Sequence, residues 1–207
     1  MNPNPGRPDR SDRPDRPARI RAALRALVAE RGFHGASMSA VAERAGVATG
    51  TAYVHYGSKE ELVLAAHRET KAELSAAAMA GDDPDRDPAE RFRHIWANIY
   101  RHLADEPERA RFLVQVDASP FAAGAHEPAP TAADDDADDT RGAAEADDEL
   151  ARAMDDVAEV LVDLPPVILF ELALGPAITT IASGQTLTTE QQQRLAHCCW
   201  RAVTVAG

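Results

Sequence analysis

The segment Val41-Ala42-Glu43-Arg44-Ala45-Gly46-Val47-Ala48-Thr49-Gly50-Thr51-Ala52-Tyr53-Val54-His55-Tyr56-Gly57-Ser58-Lys59-Glu60-Glu61-Leu62 reads as two short helices followed by the start of a long one. Ser37 is a natural N-cap for a helix that carries Val41 and Ala42 and closes at Gly46. A second short helix runs from about Ala48 to Tyr56 before Gly57 breaks it. Ser58 with Glu61 has the spacing of a capping box, opening a helix that continues to about Gly81. Upstream, Ile20, Leu24, Leu27 and Val28 recur at helical spacing between Arg19 and Gly32. Two short helices joined by a glycine-containing turn and packed on a preceding amphipathic helix are the geometry that presents a helix to the major groove of DNA.

The formal net charge of −12 argues against a nucleic-acid ligand until it is divided along the chain. Residues 1–60 hold ten Arg/Lys and six Asp/Glu, net +4, whereas the remainder holds 12 basic and 28 acidic residues, net −16. Positive potential is therefore expected where phosphate would be met, with an acidic bulk that discourages indiscriminate adhesion. A hydrophobic content of 44% over 207 residues is enough for a packed core, and the length suits one DNA-reading module fused to one regulatory module. No apolar stretch approaches the roughly 18 residues of a membrane span, and no signal-peptide core follows a basic start, so a cytoplasmic protein is expected. Cys198 and Cys199 are adjacent and supply neither a disulfide framework nor a four-ligand zinc site. They read as buried helical thiols, with a vicinal-thiol redox or metalloid sensor as the alternative.

Residues 1–18 are an Arg/Pro/Asp-rich arm in which Arg7, Arg10, Arg13 and Arg16 recur every three residues, the period of polyproline II. The arm is either a self-neutralised disordered tail or a basic segment that enters a minor groove. Beyond the long helix, Asp87 and Glu90 with Pro88 open a helix carrying Phe92, Ile95, Trp96, Ile99, Tyr100 and Leu103. Pro107 opens the next, with Phe112, Leu113 and Val116, ending by Pro120. Residues of about 122–148 lack large apolar side chains and are expected to form a disordered acidic loop. Its run Asp134–Asp139 is a solvated insertion, with a divalent-ion site the weaker alternative. Helical spacing returns with Leu150, Met154, Val157, Leu161 and Leu164, then an apolar segment from Pro165 to Ile181 in which Gly175-Pro176 predicts a kink. A last helix is capped by Thr188 or Thr189 with Gln191 or Gln192. The expected class is all-α, with about nine helices.

The quoted segment closely resembles the N-terminal module of TetR-type regulators, the strong likeness covering roughly residues 19–65. A softer likeness to a C-terminal subtype lies in Arg111-Phe112-Leu113-Val114-Gln115 followed by Ser119-Pro120-Phe121. The resemblance implies a DNA-binding module at 19–65, a regulatory ligand-binding and dimerisation domain at 66–207, and a homodimer through the last two helices. Operator DNA is the implied partner, with half-sites about one helical turn, roughly 34–36 Å, apart or a multiple of it. Thr49, Gly50, Thr51, Tyr53 and His55 become the groove-facing helix, Lys59 meets phosphate, and Arg44 lies at the edge. Their chemistry suits this, since hydroxyls, imidazole N–H and ammonium all donate to phosphate oxygens and Gly50 permits close approach. Packing is the competing reading for Tyr53 and, more strongly, for Tyr56; for His55 it is an ordinary surface histidine.

Two departures from the family pattern matter. Ala48 stands where a serine is common, so the second short helix lacks a side-chain cap and is free to begin at Thr49. That helix also has no Arg, Asn or Gln for bidentate base reading. Discrimination then falls to Thr49 and Thr51, to Ala52 or Val54 against thymine methyls, to Arg44, to the arm, or to DNA shape.

In the regulatory half, Phe92, Trp96, Ile99 and Tyr100, opposed by Phe112, Val116 and Phe170, are candidates for an apolar ligand pocket, with Tyr100 and His94 or His102 as polar anchors. Ordinary core packing is the alternative for each. No catalytic or metal-ligand motif is recognisable and no cofactor is implied. The expected function is a transcriptional regulator, a repressor by resemblance, released by a small, largely apolar effector. A regulator of the same fold controlled by a metal, a redox signal or a protein is the alternative.

Overall fold

The computed structural model describes residues 16–125, 150–153, 156 and 158–205. Its helices are α1 Arg16–Gly35, α2 Met38–Ala45, α3 Thr49–His55, α4 Lys59–Met79, α5 Pro88–Asp105, α6 Pro107–Asp117, α7 Ala122–Ala125, α8 Pro166–Ala182 and α9 Thr189–Val203. A helical stretch at 150–153 and a 3-10 turn at Ala158–Val160 precede α8. The class is all-α. Among the described residues, β pairing is confined to an isolated antiparallel bridge between Leu161 and Thr204.

Local chemistry accounts for most boundaries. Gly32 interrupts α1 with φ 67° and ψ 178°, a conformation that a residue with a Cβ resists. The Ser37 side chain accepts from the Ala40 N–H, and Gly46 ends α2 in the left-handed region at φ 66°. Asp87 accepts from the N–H groups of Ala89 and Glu90, with Pro88 at the first position of α5. Thr188 and Gln191 form a complete capping box on α9.

Several expectations change. The box at Ser58 is skewed: its hydroxyl accepts from the Glu61 N–H at 3.0 Å, but the Glu61 carboxylate accepts from Gly57 N–H, one residue early, at 2.8 Å. Residues 122–125 are the short helix α7 rather than the start of a loop. The remainder of that loop with its acidic run, like the arginine arm before Arg16, lies outside the described residues. Helix does not continue to Leu164. Instead the Val162 N–H donates to the Val203 carbonyl at 2.9 Å and the Val205 N–H to Val160 at 3.0 Å, so this stretch pairs with the chain end. Pro165 and Pro166 favour extended backbone just before α8, which suits that pairing. Pro176 sits inside α8, which nevertheless runs on as one element.

Two buried clusters organise the packing. One joins α1 to α4, with Ile20, Leu24, Val28, Val41, Ala52 and Leu62 at its centre. The other gathers Leu74 and Ala78 of α4 with Trp96, Ile99, Leu103, Leu174, Ile178 and Cys199. Helix α6 serves both: Phe112 and Val116 enter the first, Ala110 and Leu113 the second. Polar bonds reinforce its place, for the Gln115 amide donates to the Val28 carbonyl at 2.7 Å and the Arg111 Nε to Ala182 at 3.2 Å. Because Phe112 is fully buried, Phe112→Ala is expected to lower the unfolding free energy by about 3–5 kcal/mol, measured by urea titration. A loss below about 1 kcal/mol would mean that α6 is not part of the first cluster.

Candidate nucleic-acid interface

Helix α3 has seven residues and reaches the interior through Ala52, which is fully buried. Thr49, Gly50, Tyr53, Val54 and His55 are exposed, Tyr53 at 52% and Val54 at 82%, while Thr51 is half-buried. Ala48 makes no side-chain cap, and the first bonds of α3 run from Thr51 and Ala52 N–H to the Ala48 carbonyl. A Cβ placed on Gly50 meets nothing within 4 Å, and its backbone is not left-handed. Nothing among the described residues therefore requires glycine at position 50.

Tyr56 behaves differently from Tyr53. It is buried at 6% exposure, its hydroxyl accepting from Arg21 Nη1 at 2.9 Å and donating to the Pro17 carbonyl at 3.5 Å. This fixes the end of α3 against α1. Burial opposes the Arg21 charge, but Glu69 and Tyr56 outweigh it and hold the guanidinium above its ordinary pKa.

Two expected DNA contacts, Lys59 on phosphate and Arg44 at the edge, are otherwise engaged. Lys59 at the start of α4 donates to the Phe33 carbonyl, and its Nζ lies 5.8 Å from the Phe33 ring centroid. Burial pushes its pKa down. Arg44 forms a bidentate pair with Glu30 at 2.7 and 2.8 Å, which holds the Glu30 carboxyl below its ordinary range. Beside α3, Arg16, Arg19, Val47, Ala48 and Thr51 border a groove of about 520 Å³. Arg19 also donates to the Ala45 carbonyl at the end of α2. Sequence reading placed Arg16 in the arm and gave Arg19 no role; their three-residue spacing on the first turn of α1 was the available signal.

The candidate pocket residues divide. Phe92, Trp96, Ile99 and Phe170 border a cavity of about 100 Å³, completed in part by Leu169 and Trp200. Tyr100 stacks on Trp96 at 5.4 Å, but its hydroxyl is turned to the Leu187 N–H at 3.2 Å. Phe112 and Val116 lie in the other cluster and do not border the cavity, because α6 turns that face to α1. His94 bonds near the Ala80 carbonyl at 3.0 Å, away from the cavity wall. His102 also lies outside that wall, and burial, then Arg109, lowers its pKa. Cys198 is exposed and Cys199 buried, burial pushing the Cys199 thiol up.

The sequence profile described as "Bacterial regulatory proteins, tetR family" matches residues 20–66. The HTH-type transcriptional repressor KstR of Rhodococcus jostii is 35% identical over 89 residues, 43% of this chain and 41% of that protein. An uncharacterised HTH-type transcriptional regulator of Haemophilus influenzae is 32% identical over 104 residues, 49% and 54% of the two chains. A TetR-family transcriptional regulator structure from H. influenzae shares 25% identity at a TM-score of 0.67, covering 92% of this chain and 97% of that one. Residues 20–66 are thus similar to the N-terminal module of the tetR family. The chain spans about half the length of the curated relatives it matches. A second tetR-family structure, from Marinobacter aquaeolei, shows the same fold at 21% identity and a TM-score of 0.66 over 91% and 95% of the chains. The matched range 20–66 includes Ala52 and Tyr56. Removing the Tyr56 hydroxyl as Tyr56→Phe is expected to cost about 1.5–3 kcal/mol, since it accepts from a charged guanidinium. Equal denaturation midpoints for the two proteins would contradict that.

Proposed function

We propose that the protein is a dimeric transcriptional regulator that binds operator DNA through α3 and is controlled by a small, largely apolar effector in the C-terminal half. The observation that carries this reading is the exposure of Thr49, Gly50, Tyr53, Val54 and His55 beside a groove bordered by Arg16 and Arg19. A surface helix whose glycine meets nothing among the described residues and whose tyrosine stands in solvent is suited to close contact with another backbone. Hydroxyls of Thr49, Thr51 and Tyr53 and the His55 ring supply donors, Arg44 an edge contact, and Val54 an apolar face for a thymine methyl. Lys59 reaches phosphate by leaving the Phe33 carbonyl, while the exposed Arg16 and the remaining N–H groups of Arg19, one of which holds the Ala45 carbonyl, take the larger electrostatic share. The relative named a repressor supports a negative sign of control. No described helix is long and apolar enough to cross a membrane, in keeping with a cytoplasmic regulator.

Dimerisation is assigned to α8 and α9. Val167 and Ile168 on α8, with Leu164 and Val205 near it, are exposed at 41–55%, an apolar surface fit for an isologous contact. The effector is assigned to the cavity between α5 and α8. Coupling runs along α4, which begins at Lys59, meets α1 through Glu69 and Glu73, and ends among Leu74 and Ala78 in the second cluster. An effector that binds one arrangement of α4 more tightly shifts the separation of the two reading heads.

Purified protein and fragments of its own upstream DNA, compared at two salt concentrations, provide the test. Tyr53→Ala is expected to abolish selective retention, Arg16→Ala to weaken all sequences alike and lower the salt slope by about 1, and Thr49→Ala to change sequence preference. Identical losses on selected and random DNA for all three variants would overturn the assignment of α3.

A further inference from the structure

We propose that the α5–α8 cavity takes a small apolar monocarboxylate whose carboxylate replaces that of Asp156 on the Arg91 guanidinium. The inference rests on the proposed effector role of this cavity and names the chemistry of its ligand. The described wall is apolar, built from Phe92, Trp96, Phe170, Trp200 and aliphatic neighbours, with one charged side chain, Arg91. The two carboxylates on that arginine are held very differently. Asp82 accepts from Nε at 3.0 Å and from Nη2 at 2.6 Å, and both side chains are buried, at 6% and 5% exposure. Asp156 accepts a single bond from Nη1 at 3.0 Å, and its side chain is 56% exposed.

Asp82 therefore neutralises the buried charge, while Asp156 is a half-solvated partner of the kind that contributes little. A ligand carboxylate in its place keeps the charge balance and the acceptor for Nη1, and adds an apolar body that the cavity removes from water. An alkylammonium would meet Arg91 as a like charge. An alcohol would supply one neutral acceptor. The volume of about 100 Å³ limits the body, since a dry cavity of about 150 Å³ takes benzene. A chain of about six carbons is the upper size without rearrangement.

Trp96 and Trp200 are the chain's two tryptophans and both border the cavity, so intrinsic fluorescence reports its occupancy. The full-length protein is titrated at pH 7 with hexanoate, 1-hexanol and hexylamine. Hexanoate is expected to bind about tenfold more tightly than 1-hexanol, with hexylamine weakest. Asp156→Ala and Asp156→Asn are expected to tighten hexanoate several-fold and leave 1-hexanol unchanged, because they remove the competing carboxylate without touching the Arg91–Asp82 pair. Equal affinities for hexanoate and 1-hexanol, weaker hexanoate binding in the Asp156 variants, or no saturable response to any of the three would overturn the proposal. Retention of upstream DNA by the ligand-free protein is measured alongside. Protein that holds DNA without preferring hexanoate loses this site and keeps the regulator; selective hexanoate binding without DNA retention does the reverse.

Discussion

Glu69 is the point on which the arrangement turns. Its carboxylate on α4 takes the guanidinium groups of both Arg21 and Arg25 from α1, all three side chains being 19% exposed or less. One turn further along α4, Glu73 meets Arg25 at 3.8 Å and Arg109 of α6 at 2.9 Å. Burying two arginines against α4 without these carboxylates would be strongly unfavourable, and removal of one partner of such a pair costs about 3–5 kcal/mol. The ladder therefore dictates which faces of α1, α4 and α6 meet. Tyr56 is tied to the same network through Arg21, so the end of α3 inherits its position from it.

Helix α6 extends that constraint across the molecule. Its Phe112 and Val116 complete the cluster beneath α1, and its Ala110 and Leu113 complete the cluster around Trp96. Next to it, the Phe121 ring meets Phe33 edge-on at 5.2 Å, just beyond the Gly32 break where Lys59 is also held. A displacement of α6 would thus be felt at both ends of the reading module. The packed interior resists continuous deformation, which favours two discrete arrangements over gradual bending.

The terminal patterns were legible because they are local. Ser37, Gly46, Pro88, Pro107, Thr188 and Gln191 act on backbone groups within a few residues, and each marks a helix end where the chain has one. The Leu150–Leu164 pattern misled for the opposite reason. Its apolar spacing is helical, yet Leu161 and its neighbours bond to the backbone around Val203 and Thr204, more than forty residues away. Periodicity records that a face is buried, not which partner buries it.

The helical class and the glycine-punctuated reading module were readable from the chain alone, because caps, turns and short-range spacing are local; the outward-facing character of α3 was implied only by the resemblance to TetR-type regulators. The sequence also offered seven cavity candidates with core packing as the alternative, of which Phe92, Trp96, Ile99 and Phe170 border the cavity while Tyr100, Phe112 and Val116 do not. Tertiary structure alone decided that Phe112 and Val116 face α1, that Lys59 and Arg44 already hold Phe33 and Glu30, and that Arg16 and Arg19 border the groove beside α3. It decided too that Arg91 holds one buried and one exposed carboxylate. These outcomes depend on which distant surfaces meet, and desolvation assigns a side chain its partner only after that meeting has taken place.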